Sequence, residues 1–295
     1  MRYLILSDIH ANLTALDTVL DTVKGRWDKV VCLGDVVGYG PDPNEVVDRI
    51  REIDATTIRG NHDKAGSGIA NADDFNPVAR NVAHWTKDHL RPENREWLEK
   101  LPTGPITVDT FMMVHGAFRD EDEYVFAPAQ ALDSLLDARA QVTFFGHTHL
   151  QGGFTLFDNK VGVLHFKPPA GVNFSPLTTD METTYLLNPG SIGQPRDGDT
   201  RSAFAIADLP NNTVEFWRVP YDIEAVQKRM TAAGLPEPLV LRLSFGRSHQ
   251  IICSANQGTR KTLNPAKAHT RKNAASFRSP SGSASSSSRL WLPSS

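Results

Sequence analysis

Five short polar segments of this 295-residue chain carry side chains that could bind metal ions. The donors are oxygens and imidazoles without a thiolate, a set that suits Mn, Fe, Zn, Co or Ni rather than a cysteine-type structural zinc site. They are too many for one tetrahedral ion. Seven donors that share one carboxylate predict two adjacent ions, roughly 3.5–4 Å apart, as in enzymes of in-line phosphoryl displacement. The polar segments contribute Asp8, His10, Asp35, Asn61, His62, His115, His147 and His149.

Each polar segment follows a stretch that the sequence pattern predicts to be a strand. The buried-type run 30–33 leads to Gly34-Asp35, and residues 2–7, 55–58, 106–114 and 142–145 lead to the others. Helical spacing of apolar residues between the first three strands predicts parallel strands with helices outside them. Open α/β sheets bind ligands at the carboxyl ends of such strands. Since Asp8 and His10 are two residues apart, an extended backbone would point both to the same side.

From Gly153 onward the sequence has an almost purely β pattern. Strands are predicted at residues 154–157, 161–166, 184–187, 202–209 and 213–219, and a helix at 223–232 closes the body. An α/β half followed by a β-rich half predicts two facing sheets with helices on the outsides. We assign residues 1–246 to this domain.

Residues 247–295 differ sharply from the body in composition. They carry eight Lys or Arg and no Asp or Glu, and residues 279–288 are nearly all Ser, Gly and Ala. Such a tail could touch RNA or a membrane surface, but a disordered or non-native extension fits the abrupt change better. The body then holds 23 basic and 34 acidic residues, which argues against a general nucleic-acid surface. The acidic run 120–123 is read as a solvated loop.

Other features of the sequence point to a cytoplasmic protein. It has no apolar run of 18 residues and no signal-peptide pattern at its start, so we expect no membrane association. Cys32 lies in a core-type strand, and the only other cysteine is Cys253, which fits a reducing compartment. The oligomeric state is left open.

The polar segments, taken in order, resemble the motifs of the calcineurin-like metallophosphoesterase superfamily. The matching segments are Asp8-Ile9-His10, Gly34-Asp35, Gly60-Asn61-His62-Asp63, His115-Gly116 and Gly146-His147-Thr148-His149. Residues 34–41 and 187–198 further resemble the small prokaryotic phosphodiesterase branch. The resemblance covers about residues 1–235 and implies a four-layer α/β/β/α sandwich of two mixed sheets.

The resemblance also implies roles for these residues. Asp8, His10 and His149 would hold a first divalent ion, Asn61, His115 and His147 a second, and Asp35 would bridge both. Mn²⁺ is our first choice, with Fe, Zn, Ni or Co as alternatives. A hydroxide bridging the ions would attack phosphorus, with His62 as an imidazolium acid that Asp63 orients.

Three functions are consistent with the sequence. The leading one is a phosphodiesterase acting on a small substrate such as a nucleotide, because few extra cationic groups are evident and a diester carries one charge. A phosphomonoesterase, including a protein phosphatase, is the alternative. A non-catalytic binding scaffold would be expected to have lost His62 or metal donors, and all are retained. Arg119 and Arg196 could each hold a substrate phosphate as a bidentate partner or form a surface ion pair.

Overall fold

The computed structural model describes residues 1–166, 168 and 172–247. The basic, Ser-rich tail expected from residue 247 therefore lies, apart from its first residue, outside the described residues.

Strands and helices alternate through the first half of the described chain. The strands are β1 Arg2–Leu6, β2 Lys29–Cys32, β3 Thr56–Thr57, β4 Ile106–Val108, β5 Phe111–Val114, β6 Val142–Phe145, β7 Gly152–Phe157, β8 Lys160–His165, β9 Phe174–Thr178, β10 Thr184–Asn188, β11 Ser202–Asp208 and β12 Thr213–Val219. The helices are α1 Leu13–Thr22, α2 Pro43–Glu52, α3 Asn61–Ser67, α4 Pro77–His89, α5 Pro92–Glu99, α6 Pro128–Asp137, α7 Ile223–Ala232 and α8 Glu237–Arg242.

The strands form two mixed six-stranded sheets, which confirms the predicted fold class. The first sheet has the order β3-β2-β1-β11-β12-β9, and the second has the order β4-β5-β6-β10-β7-β8. The predicted parallel pairing of β1, β2 and β3 is confirmed. The change of pattern at Gly153 does not separate the sheets, because later strands complete both of them.

Three apolar layers hold the sandwich together. Between the sheets, Ile5 and Val31 of the first pack with Phe111 and Phe144 of the second. On the outer face of the first sheet, α1 and α2 cover Leu4 and its neighbours. On the outer face of the second sheet, α6 covers another apolar cluster. Alternate residues of β1 are thus buried on both faces, as the continuous apolar run of this strand predicts.

This packing brings the carboxyl ends of five strands to one edge of the sandwich. Strands β1, β2 and β3 of one sheet run into Asp8, Asp35 and Asn61, and strands β5 and β6 of the other run into His115 and His147. The parallel pairing of β5 with β6 gives these two ends the same direction.

Candidate metal centre

Two groups of buried donors meet at Asp35. One group contains Asp8, His10, Asp35 and His149, and the other contains Asp35, His115 and His147, with the donor atoms of each group within 4.8 Å of one another. Asn61 lies beside the second group, since its Oδ1 is 3.2 Å from Nε2 of His115. The structure therefore brings all seven sequence-predicted metal donors together around one shared carboxylate.

Backbone carbonyls fix the orientation of three imidazoles of the centre. Nδ1 of His10 donates to Val37 O at 3.2 Å, Nδ1 of His149 to Gln194 O at 2.7 Å, and Nδ1 of His115 to Leu33 O at 2.8 Å. When only Nδ1 carries a proton, each Nε2 has a lone pair directed into the centre, and this is the tautomer that binds a metal.

The Nε2 atoms of His10 and His149 lie only 3.0 Å apart. Two nitrogen lone pairs at this distance repel each other unless a cation binds to both. The fourth imidazole, His147, donates from Nε2 to Asp122 O at 3.0 Å, which leaves its Nδ1 as the donor atom.

The Asp8 carboxylate also fits a cation. Its Oδ2 accepts hydrogen bonds from Ser7 Oγ at 2.6 Å and from the His147 amide at 3.1 Å. Its Oδ1 is buried without a hydrogen-bond partner among the described residues and lies 3.3 Å from His149 Nε2. Burial raises the pKa of Asp8 to about 7, although the nearby charge of His115 acts in the opposite direction.

Asp35 is ionised by its neighbours. Burial alone would raise the pKa of Asp35, but the positive charge of His115 outweighs it and holds this pKa well below its ordinary value. The Asp35 carboxylate in turn raises the pKa of His115 against the effect of burial. A proton on His115 thus supplies the positive charge that a bound metal ion would replace.

The backbone around the centre is strained rather than extended. Asp8 and His10 have φ of 51° and 50°, so the expected extended backbone is wrong, although both side chains do reach the same group of donors. The chain leaves β1 by a turn whose amides at Asp8 and His10 donate to Gly34 O and Asp35 O. Asp35, His147 and His149 also have positive φ, of 53°, 65° and 60°. Non-glycine residues rarely adopt this conformation, and it tends to cluster at functional sites.

The sequence of the chain matches the family model of the calcineurin-like phosphoesterase superfamily domain over residues 1–212. The chain belongs to this superfamily.

Relatives support the assignment over a longer span. The uncharacterised protein MJ0912 of Methanocaldococcus jannaschii is 32% identical over 253 residues, which are 82% of this chain and 97% of that protein. The crystal structure of a metallophosphoesterase from Sphaerobacter thermophilus is 38% identical, with a TM-score of 0.71 over 83% of this chain and 99% of its own. The hypothetical protein PH1004 from Pyrococcus horikoshii OT3 is 20% identical and shares the fold, with a TM-score of 0.66 over 84% of this chain and 99% of its own.

Calcineurin-like phosphoesterases use divalent metals, and the donor set described above fits such ions. In the described part of the chain, no helix is long and apolar enough to cross a bilayer.

His62 lies at the mouth of this phosphoesterase centre. Its amide donates to Asp35 Oδ1 at 2.8 Å, and its ring packs 4.3 Å from the ring of Tyr39 and 4.7 Å from that of Phe75. The ring lines a cleft of about 330 Å³ together with Asn61 and His147. Burial lowers the pKa of His62 to about 4, so the resting ring is neutral and not the expected imidazolium.

Asp63 acts on the backbone of the site. Its carboxylate accepts hydrogen bonds from the amides of Gly60 at 2.9 Å and Val37 at 3.1 Å. Among the described residues it makes no hydrogen bond to the His62 ring, so the expectation that Asp63 orients this ring directly is corrected. It ties together the two loops that carry Asp35 and His62.

The two predicted arginines have different surroundings. Arg119 is exposed and forms ion pairs with Asp133 at 3.0 Å and Asp137 at 2.7 Å. Both carboxylates belong to α6, so Arg119 forms a surface ion pair with this helix and does not lie at the centre. Arg196 lies beside the centre, since its amide donates to His149 O at 3.3 Å and its guanidinium lies 5.8 Å from the Tyr39 ring centroid.

The acidic run 120–123 packs onto the centre and is not simply a solvated loop. Glu121 pairs with Arg59 and Lys64, both at 2.9 Å, and Asp122 supplies the carbonyl that orients His147. Tyr124 then stacks on the His147 ring at 3.8 Å. Sequence reasoning missed these contacts, and the only available signal was the closeness of the run to His115 along the chain.

Proposed function

We propose that this chain is a hydrolase of phosphoester bonds that uses two divalent metal ions and acts as a phosphodiesterase on small substrates. One observation carries the proposal: Asp35 belongs to both groups of buried donors. Asp8, His10 and His149 would hold one ion, and Asn61, His115 and His147 the other. Two such ions, Mn²⁺ being our first choice, supply Lewis-acid activation of water and neutralise charge on the phosphate.

The residues of the cleft would position the substrate. A neutral His62 can donate a hydrogen bond from its N–H to a phosphate or leaving-group oxygen, which stabilises the charge that develops there. Asp63 accepts hydrogen bonds from the amides of Gly60 and Val37, and these bonds fix the positions of the loops that carry His62 and Asp35. The rings of Tyr39 and Phe75, which both pack against His62, limit access of water to its imidazole.

The shape of the cleft favours a small substrate with a flat apolar part. Its volume of about 330 Å³ suits a molecule of nucleotide size, and Tyr39, Phe75 and Tyr124 line it. Aromatic walls of this kind stack with rings such as nucleobases. The acidic body argues for a small molecule rather than a nucleic acid.

A phosphomonoesterase remains the second candidate for a specific reason. The sequence favours a diester because few cationic groups are evident in it, yet the guanidiniums of both Arg196 and Arg242 lie against Tyr39. Two cations beside the centre would also suit a phosphate with two negative charges.

The test compares bis(p-nitrophenyl) phosphate with p-nitrophenyl phosphate in chelator-treated protein reloaded with Mn²⁺. We expect metal-dependent turnover with the diester preferred, and loss of both activity and bound metal in Asp35→Asn. The Asp133→Asn variant, which changes an exposed carboxylate, is the matched control and should keep both. Full activity of metal-free protein, or of Asp35→Asn, would refute the proposal. A higher kcat/KM for the monoester would replace the phosphodiesterase by the second candidate.

A further inference from the structure

Two guanidiniums converge on one side-chain oxygen next to the metal centre. Arg196 follows β10, and Arg242 ends the short helix α8. Arg196 Nη2 donates to Gln194 Oε1 at 3.2 Å, and Arg242 Nη1 donates to the same oxygen at 2.8 Å. Both also lie against the Tyr39 ring, at 5.8 Å and 5.6 Å from its centroid.

Neither guanidinium has a carboxylate within salt-bridge distance among the described residues, and the Nε of each is buried without a hydrogen-bond partner. Arg242 is only 8% exposed. Burial, and next the charge of Arg196, lower the pKa of Arg242 to about 10, so both side chains are cationic at neutral pH. Buried charges are normally paired, and two unpaired cations that share one neutral oxygen leave a place for an anion.

This pair of arginines lies beside the metal donors but is not bonded to them. Among the described residues neither guanidinium bonds to a metal donor, and the Tyr39 ring packs 4.7 Å from the His10 ring on the side of the centre. An anion held by both arginines would therefore be a neighbour of the group bound at Asp35.

We propose that Arg196 and Arg242 form a binding site for a second phosphate group of the substrate, one that is not hydrolysed. This inference rests on the proposed phosphodiesterase function and narrows its substrate class to phosphodiesters that carry a further phosphate. Guanidinium groups suit the task because their planar array of donors matches phosphate oxygens.

Two chromogenic substrates that differ by one phosphate provide the test. They are thymidine 5′-(p-nitrophenyl phosphate) and the same compound with a 3′-phosphate, assayed with Mn²⁺-loaded protein. We expect a lower KM for the 3′-phosphorylated compound in the wild type. Arg242→Met and Arg196→Met should each raise that KM about 10- to 100-fold, the range of one charged hydrogen bond. The same substitutions should raise KM much less for the compound without a 3′-phosphate.

Arg139→Met is the matched control, because Arg139 is exposed after α6. It should leave both substrates unaffected. If Arg242→Met does not fold, as circular dichroism would show, Arg196→Met and the charge-retaining Arg242→Lys decide the question, with a smaller rise in KM expected for the lysine variant.

A second measurement does not depend on turnover. Sulfate, a simple dianion, should bind chelator-treated wild-type protein in calorimetry and should bind at least tenfold more weakly to the two methionine variants. An equal loss on both substrates would assign the arginines to the reacting phosphate and overturn the proposal, as would an absence of effect on either. If the wild type hydrolyses neither compound, the proposed function fails, and sulfate binding alone then decides whether the anion site exists.

Discussion

Replacing Gly60 with alanine should dislodge the carboxylate on which both groups of metal donors depend. Gly60 has φ of −109°, so an alanine can adopt its backbone without strain. A Cβ at this position would lie 2.2 Å from Asp35 Oδ1 and 2.5 Å from the Asp35 amide, whereas real Cβ contacts are not shorter than 3.0 Å. The carboxylate must therefore move by about 1 Å, a shift that can cost about 100-fold in rate.

The expected magnitudes follow from the contacts that this shift disturbs. Asp35 Oδ1 accepts the His62 amide at 2.8 Å, and bonds to charged groups contribute about 1.5–3 kcal/mol. Overpacking adds a cost of about 1–3 kcal/mol, partly for the same displacement. We expect a loss of about 3 kcal/mol in the free energy of unfolding, or roughly 6–12 °C in Tm for a domain of this size. Affinity for both metals should fall about 10- to 100-fold, as for other changes that disturb ligand orientation.

Mass spectrometry of bound metal after dialysis, thermal unfolding and diester kinetics together check this prediction. Gly25→Ala is the control, because Gly25 has φ of +78° and no atom within 4 Å of the added Cβ. It should lose about 1 kcal/mol of stability through backbone strain but keep its metal and activity. A Gly60→Ala protein with full metal content and wild-type rates would show that Asp35 is not a shared ligand.

Three further predictions follow from the same contacts. Chelation should lower Tm by about 5–10 °C, since a ligand at 100 times its Kd adds about 2.7 kcal/mol, and scanning calorimetry with and without Mn²⁺ measures it; an unchanged Tm contradicts a buried cation at Asp8. His62→Gln should keep both metals and lose about 10²–10⁴-fold in kcat, and an empty centre would contradict its place at the substrate. Although burial raises the pKa of Glu121, bonds from Arg59 and Lys64 outweigh it and hold this pKa below its ordinary value. Glu121→Gln should therefore cost about 2 kcal/mol at pH 7, and the difference should disappear as the pH falls through that depressed pKa, as urea unfolding of chelated protein can show.

The metal donors could be predicted because polar residue types that bind metals occur where the predicted strands end. Asp8, Asp35 and His147 each follow an apolar run, and parallel strands bring such ends to one edge. The strand pairing was less predictable, because no local sequence pattern indicates that β10 and β11 belong to different sheets. Their partners lie far away in the sequence, at β1 and β6.

Elements without a clear apolar period were missed. Strand β9 contains Pro176, which lacks an amide hydrogen, and it is tolerated because β9 ends the order of the first sheet. Helix α3 is almost entirely buried although it has few apolar residues. It begins at Asn61, a residue of the candidate metal centre, so its polar side chains are buried there. Helix α8 has only six residues, so Arg242 could not be placed near the centre.

The orientation of the imidazoles could not have been predicted from any single sequence, for a chemical reason. The carbonyls of Leu33, Val37, Asp122 and Gln194 each accept a hydrogen bond from one histidine of the centre. Every residue type offers a carbonyl, so the identity of these four residues does not reveal the role. What selects them is the path of the loops, which the positive φ values and the close approach of Gly60 to Asp35 enforce. Metal affinity in this protein should therefore respond to backbone changes in these loops more strongly than to conservative side-chain changes at the same positions.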